Sequence, residues 1–245
     1  MKKKILIICI TAFICLGGYL FIAHHLIYKR ISASGLKPSD NIGEYIIGSI
    51  KDKPSLIYTA LGDSLTSGTG VLNYEESYPY QLAQKIAVDD EGIILRDRSY
   101  PGVRTEGLIK NLLAAAINDK PNIITLLIGV NDVHGNVSKT KFTKNYQEIL
   151  TRLKTETNAK IYAVNIPYLG TDSLLLPPFN SYFRHKTVEF NKIIKKLAEG
   201  NNINYIDLYT PTKYMFENNA LCSIDSFHPS AKGYELWAEI IYKNF

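Results

Sequence analysis

The chain of 245 residues is 46% hydrophobic and 21% charged, with 16 glycines and 10 prolines, which excludes a disordered or collagen-like polymer and leaves enough apolar material for one sizeable core. Its net charge of +5 is local: Lys2, Lys3, Lys4, Lys29 and Arg30 meet no acid in the first 30 residues, and the remainder balances at 23 basic against 23 acidic residues. A neutral body is no nucleic-acid footprint, and three cysteines (Cys9, Cys15 and Cys222) build neither a disulfide framework nor a zinc cluster.

The first element is apolar. Ile5 to Ala23 is a run of nineteen uncharged, mostly hydrophobic residues, roughly 28 Å as a helix and close to the hydrocarbon thickness of a bilayer. A retained single-pass anchor is favoured over a cleaved signal, because the run exceeds a usual signal core and no small-x-small site precedes His24 and His25. Three lysines before the run against Lys29 and Arg30 after it place the N-terminus in the cytoplasm and the body outside the cell membrane. Cleavage would give a secreted protein instead. His24 and His25 point about 100° apart on a helix, so beside Tyr28 they read as interfacial residues rather than a metal pair.

Residues 31–53, with Ser, Gly, Pro and Asn around a short Tyr45–Ile47 patch, read as a tether with one turn packing on the domain. From residue 54 to the end, short apolar runs alternate with helical stripes. Strands are predicted at Leu56–Leu61, Ile93–Leu95, Ile123–Ile128, Ile161–Ile166 and Ile203–Leu208, each suited to burial on both faces. Between them fall four stripes: Pro79, Leu82, Ala83, Ile86 and Ala87; Leu108, Leu112, Leu113 and Ala116; Phe142, Tyr146, Ile149, Leu150 and Leu153; and Val188, Ile193, Ile194 and Leu197. Ser230 caps a last helix carrying Tyr234, Trp237, Ala238 and Ile241. This alternation implies an α/β fold: a five-stranded parallel sheet covered on both faces by helices, with its site beyond the carboxyl ends of the strands.

Four strings fall at those ends. The first strand runs into Gly62-Asp63-Ser64-Leu65, which puts a serine on a tight turn where a base is needed to take its proton. Asp225-Ser226-Phe227-His228-Pro229 precedes the last helix, and Asp225 can hold the Nδ1–H of His228 while Nε2 faces Ser64. Gly129-Val130-Asn131-Asp132 ends the third strand, and Ser99-Tyr100-Pro101-Gly102-Val103-Arg104-Thr105 follows the second. The Ser64 and Gly102 N–H groups with the Asn131 amide make three donors for a developing oxyanion. Taken singly each string is an ordinary turn. Their joint placement at strand ends and at a helix entrance is what points to chemistry. His134 is expected as a solvated loop residue, His185 on a polar helix face and Cys222 as a small buried hydrophobe. The long Asn165–Tyr182 connection reads equally as a substrate wall and as surface packing.

The Gly-Asp-Ser-Leu, Gly-x-Asn-Asp and Asp-x-x-His-Pro strings resemble the signature blocks of the SGNH family, also called GDSL esterases and lipases, from about Leu56 to the C-terminus. The glycine block is the loosest match, since Ser99-Tyr100-Pro101 stands where that family often has Asn or Gly. The resemblance implies a flavodoxin-like three-layer sandwich with strand order 2-1-3-4-5 in residues 54–245. It makes Ser64 the nucleophile, His228 the base and acid, Asp225 its partner, Ser64, Gly102 and Asn131 the oxyanion donors, and Asp63 a turn-stabilising acid. The implied activity is ester hydrolysis through an acyl-enzyme, without metal or organic cofactor, on a small-molecule, lipid or glycan ester. The rivals are a carbohydrate or cell-wall O-acetylesterase, for which the seventeen tyrosines could stack on sugars, and a non-catalytic envelope module using Gly62–Gly70 as an anion cradle. No Gly-x-Ser-x-Gly elbow is present, and the loop has no lysine for a phosphate.

Overall fold

The computed structural model describes residues 2–33, 43–48, 56–87, 92–215 and 218–245. In chain order the regular elements are α1 (Lys2–Ala33), β1 (Glu44–Ile47), β2 (Leu56–Gly62), α2 (Tyr78–Ile86), β3 (Ile93–Ser99), α3 (Thr105–Asn111), α4 (Leu113–Asn118), β4 (Ile123–Leu127), α5 (Val130–His134), α6 (Lys139–Glu156), β5 (Lys160–Val164), α7 (Phe179–Gly200), β6 (Asn204–Ile206), α8 (Tyr209–Thr212) and α9 (Ala231–Tyr242). One sheet runs β1-β3-β2-β4-β5-β6. Its last five members are parallel and stand in the expected 2-1-3-4-5 order.

The sixth strand corrects the tether. Glu44–Ile47 adds antiparallel to β3, pairing Glu44 with Arg96 and Ile47 with Ile93, so the sheet is mixed. The tether's other residues fall outside the described ones, apart from 31–33, which continue α1, and 43 and 48. The expected strand Ile93–Leu95 extends to Ser99, and its two arginines are paired there. Arg96 and Arg98 both reach the Asp119 carboxylate, at 3.2 and 2.7 Å, and Arg96 also pairs with Glu44 at 2.8 Å. The single stripe through Leu108 and Ala116 divides at Leu112 into α3 and α4.

Both faces of the sheet are covered. Tyr58, Leu61, Ile124, Leu126, Tyr162 and Val164 of the strands are fully buried against Tyr78, Leu82, Tyr146, Ile149, Ile194 and Trp237 of the helices, the interior expected of a parallel sheet between helical layers. Ser230 caps α9 as expected, its Oγ accepting from the Gly233 N–H. The register decides where chemistry sits. Gly62 at the end of β2 pairs with Ser99 of β3 on one side and Leu127 of β4 on the other, so three loops leave the sheet side by side.

Candidate active site

The loop after β2 winds tightly on a buried acid. Asp63 Oδ1 accepts from the Leu65 N–H at 3.1 Å while its carbonyl accepts from Thr66 and Ser67, both at 3.0 Å. Burial raises the Asp63 carboxyl to about 7, against the backbone donors that lower it. The turn presents Ser64 to the loop before α9. The two loops touch: a Cβ on Gly70, whose φ is +114°, would lie 2.3 Å from the Pro229 carbonyl and 3.0 Å from His228 Cβ, so only glycine permits this approach. Tyr234 of α9 secures the contact by donating to the Thr69 carbonyl at 2.8 Å.

Across this seam, His228 Nε2 lies 3.1 Å from Ser64 Oγ and His228 Nδ1 lies 2.5 Å from Asp225 Oδ2. Asp225 is held from all sides. Its Oδ1 accepts from Ser223 Oγ at 2.6 Å and from the Phe227 and His228 N–H groups at 2.8 and 2.9 Å. Ser226, in the left-handed region at φ 61°, makes the turn that aims both N–H groups at one oxygen. Burial alone would raise this carboxyl, but the hydrogen bonds and charge of His228, with help from Ser223, hold it down at about 2. The carboxylate is therefore ionised throughout the neutral range and fixes the imidazole with Nδ1 as donor and Nε2 as acceptor toward the serine.

The other expected oxyanion donors lie on the two segments that flank the Ser64 loop. Gly102 occupies the left-handed region at φ 77° with open space where a Cβ would stand. Neither its N–H nor that of Ser64 donates to a described residue. Asn131 is not in a loop but in the single turn of α5, and its Nδ2 donates to the Val103 carbonyl at 3.1 Å. One amide hydrogen thus ties the glycine loop to α5, and the second has no partner among the described residues.

Several contacts around this seam have no signal in the sequence strings. Asp132 accepts from the Thr105 N–H at 2.9 Å and from Thr105 Oγ1 at 2.6 Å, and Asn145 donates to that same hydroxyl at 3.0 Å. This buried clasp fixes the start of α3, and with it the Gly102 loop, against α5. Both residues sit inside strings read from the sequence, yet nothing in their spacing pairs them. His134 overturns its expectation as a solvated loop residue. It ends α5 with its ring 4.4 Å from that of Phe183 and 5.3 Å from that of Phe227, and burial, then the neighbouring His228 charge, lowers it to about 4. His185 is exposed on α7 as expected. Cys222 is half-buried, and burial pushes its thiol up to about 11. The Asn165–Tyr182 connection reaches the site through its backbone, the Thr171 N–H donating to the Ser226 carbonyl at 3.1 Å. No group of three His, Cys, Asp or Glu side chains suited to a metal occurs among the described residues.

Comparison with known proteins gives the family and the fold. The family described as GDSL-like lipase/acylhydrolase matches residues 60–236. The spore germination lipase LipC of Bacillus licheniformis is 28% identical over 205 residues, covering 76% of this chain and 94% of its own. Among solved structures, the lipase/acylhydrolase from Enterococcus faecalis aligns with a TM-score of 0.63 at 21% identity, over 77% of this chain and 94% of that one. The psychrotrophic esterase EstA from Pseudoalteromonas gives 0.63 at 21%, over 77% and 95%. The acetylxylan esterase Axe2 from Geobacillus stearothermophilus gives 0.62 at 18%, over 77% and 93%.

Proposed function

Since the chain belongs to the GDSL-like lipase/acylhydrolase family and is a hydrolase of carboxylic esters, we propose that it works through an acyl-enzyme on Ser64. The observation that carries this reading is the continuous line of contacts from Asp225 Oδ2 through the His228 ring to Ser64 Oγ, at 2.5 and 3.1 Å, between residues 164 positions apart.

The chemistry follows from the donor set. Ser64 Oγ attacks the ester carbonyl as His228 Nε2 takes its proton. Asp225, ionised and fully hydrogen-bonded, stabilises the imidazolium without accepting that proton. The carbonyl oxygen gathers negative charge in front of the Ser64 and Gly102 N–H groups and the free Asn131 amide hydrogen, donors that are already oriented. His228 returns the proton to the departing alcohol, which leaves Ser64 acylated. Water enters, His228 removes its proton, and the resulting attack releases the acid and restores the Ser64 hydroxyl. The Pseudoalteromonas esterase is inhibited by monoethylphosphonate, a group of the kind an activated serine would accept.

The domain built on the six-stranded sheet carries this chemistry, and α1, a helix long and apolar enough to cross a membrane, is its anchor. Single and double variants test the unit. Ser64→Ala and His228→Ala are each expected to abolish nearly as much turnover of p-nitrophenyl acetate as the pair together. Full additivity, or near-normal turnover in Ser64→Ala, would remove the triad.

A further inference from the structure

The C-terminal half of α1, from Tyr19 onward, is bound to the catalytic domain along one stripe. Tyr19, Ala23 and Ile27 recur every four residues and so share a helix face. Ala23 and Ile27 are each only 1% exposed, and Ile27 belongs to the main core cluster. Tyr19 donates from its hydroxyl to the Pro177 carbonyl at 2.7 Å, the His24 ring lies 5.8 Å from that of Phe179, and Arg30 donates to Ser226 Oγ at 3.1 Å. Earlier residues do the opposite, with Ile8 67%, Phe13 79% and Ile14 66% exposed. The helix therefore has two kinds of surroundings: its first part faces outward all round, and from Tyr19 onward one stripe is taken by the domain while Phe21, Ile22 and Leu26 still face outward.

That arrangement fixes a height. If Ala23 ends the hydrocarbon span, Arg30 stands about 10 Å beyond it at 1.5 Å per residue, a few ångströms outside a headgroup layer about 5 to 7 Å thick. Arg30 holds Ser226, two residues from His228. Tyr19 lies inside the span, so the exposed pair Pro177 and Pro178 comes to the level of the bilayer interface. The loops around Ser64 carry apolar side chains facing outward as well. Leu72, two residues past Gly70, is 87% exposed; Tyr100, two before Gly102, is 63% exposed; and Ile224, next to Asp225, is 76% exposed. Singly, exposed apolar residues are ordinary. Here three separate loops of one mouth carry them, and the membrane helix docks beside that mouth.

We propose that α1 and the Asn165–Pro178 connection form the membrane face of the protein and hold the Ser64 mouth at the lipid headgroups, so that its substrates are acyl esters of membrane-resident amphiphiles. This rests on the ester-hydrolase reading and on α1 being retained. A site held at that height reaches an ester carried by a lipid and not one on a polymer tens of ångströms away.

The test uses the full chain reconstituted into phosphatidylcholine–phosphatidylglycerol vesicles. In a background of Cys9→Ser, Cys15→Ser and Cys222→Ser, a fluorophore on Pro177→Cys is expected to be quenched by headgroup-nitroxide lipid, whereas one on Lys154→Cys, at the far end of α6, is not. Equal quenching at the two positions, or recovery of a chain lacking its first 30 residues from its native membrane, overturns the proposal. In the same vesicles, Ile27→Ser with Tyr19→Phe, which leaves the Arg30 bond to the catalytic turn in place, should keep turnover of soluble p-nitrophenyl acetate within about twofold and lower turnover of vesicle-borne lysophosphatidylcholine at least about tenfold. Equal losses on both esters, or turnover of acetylated polysaccharide well above that of the lipid, contradict it. If the unmodified chain turns over neither ester, the ester-hydrolase reading and the substrate half of this proposal both fall, while the quenching still decides the orientation.

Discussion

Replacing Asp225 by Asn changes one atom of a side chain that makes four hydrogen bonds, and the structure gives both consequences. Oδ1 accepts three donors and Oδ2 accepts one, from His228 Nδ1. An asparagine can keep its oxygen toward only one of these groups. If it keeps the three donors at Oδ1, its NH2 faces Nδ1, the imidazole moves its proton to Nε2, and Ser64 loses its base. If it turns its oxygen to Nδ1, three donors lose their acceptor in a buried site. The first arrangement costs less, so kcat should fall by about 10³ to 10⁴ with KM little changed. Stability also moves. The carboxyl lies near 2 against its ordinary 3.8, and at about 1.4 kcal/mol per decade the gap is worth up to about 2 kcal/mol. Because the folded value is the lower one, that stability is present above pH 3.8 and is lost as pH falls through about 2. Urea titrations at pH 7 and pH 2.5 beside kcat on p-nitrophenyl acetate read both effects. An Asp225→Asn chain with more than a tenth of normal kcat, or as stable as the parent at pH 7, would refute the role given to this carboxylate.

Asn131→Ala should lower kcat by about 10² to 10³ and leave KM nearly unchanged, since its free amide hydrogen acts on charge that develops in the transition state; a lower thermal midpoint with unchanged kcat would reduce it to the clasp on Val103. Asp63, raised by burial to about 7, resists ionisation in the folded chain, so its contribution falls as pH rises from about 4 to 7, by at most about 4 kcal/mol. Asp63→Asn, which keeps the acceptor for Leu65, should flatten the decline in thermal midpoint across that window, and an unchanged slope would contradict the buried acid. A chain without residues 1–30 should be soluble and hydrolyse p-nitrophenyl acetate, because the contacts joining Asp225, His228 and Ser64 draw on no residue of α1, although the Arg30 bond to Ser226 Oγ is lost; aggregation of the well-expressed fragment, or activity only with α1 attached, would argue against an independent domain.

The parts of the fold legible in the sequence were those whose residues obey a local rule. The β2, β4 and β5 strands are short apolar runs, and the helices that cover them keep a regular stripe. β3 was cut short because Arg96, Asp97 and Arg98 look like a loop until Asp119, over twenty residues on, supplies the partner for both arginines. β1 looks like tether in the sequence because its four residues stand alone among turn formers, and pairing with β3 is what makes them a strand. In the site, Ser64, Asp225 and His228 were legible as strings because each sits on a turn with a fixed local grammar. The Asp132–Thr105 clasp, the packing of His134 between Phe183 and Phe227, and the docking of Ile27 are contacts between distant segments, and no spacing in the chain announces them.

The most direct measurement of the central claim is the attachment of a fluorophosphonate to the full-length protein, located by peptide mass spectrometry. The account predicts one adduct, on Ser64, formed rapidly by the unmodified chain, slowed at least about a hundredfold in His228→Ala, and absent from Ser64→Ala, because only a hydroxyl with a base at Nε2 is nucleophilic enough to react. Labelling of another residue, or an equal rate with His228 removed, would contradict it.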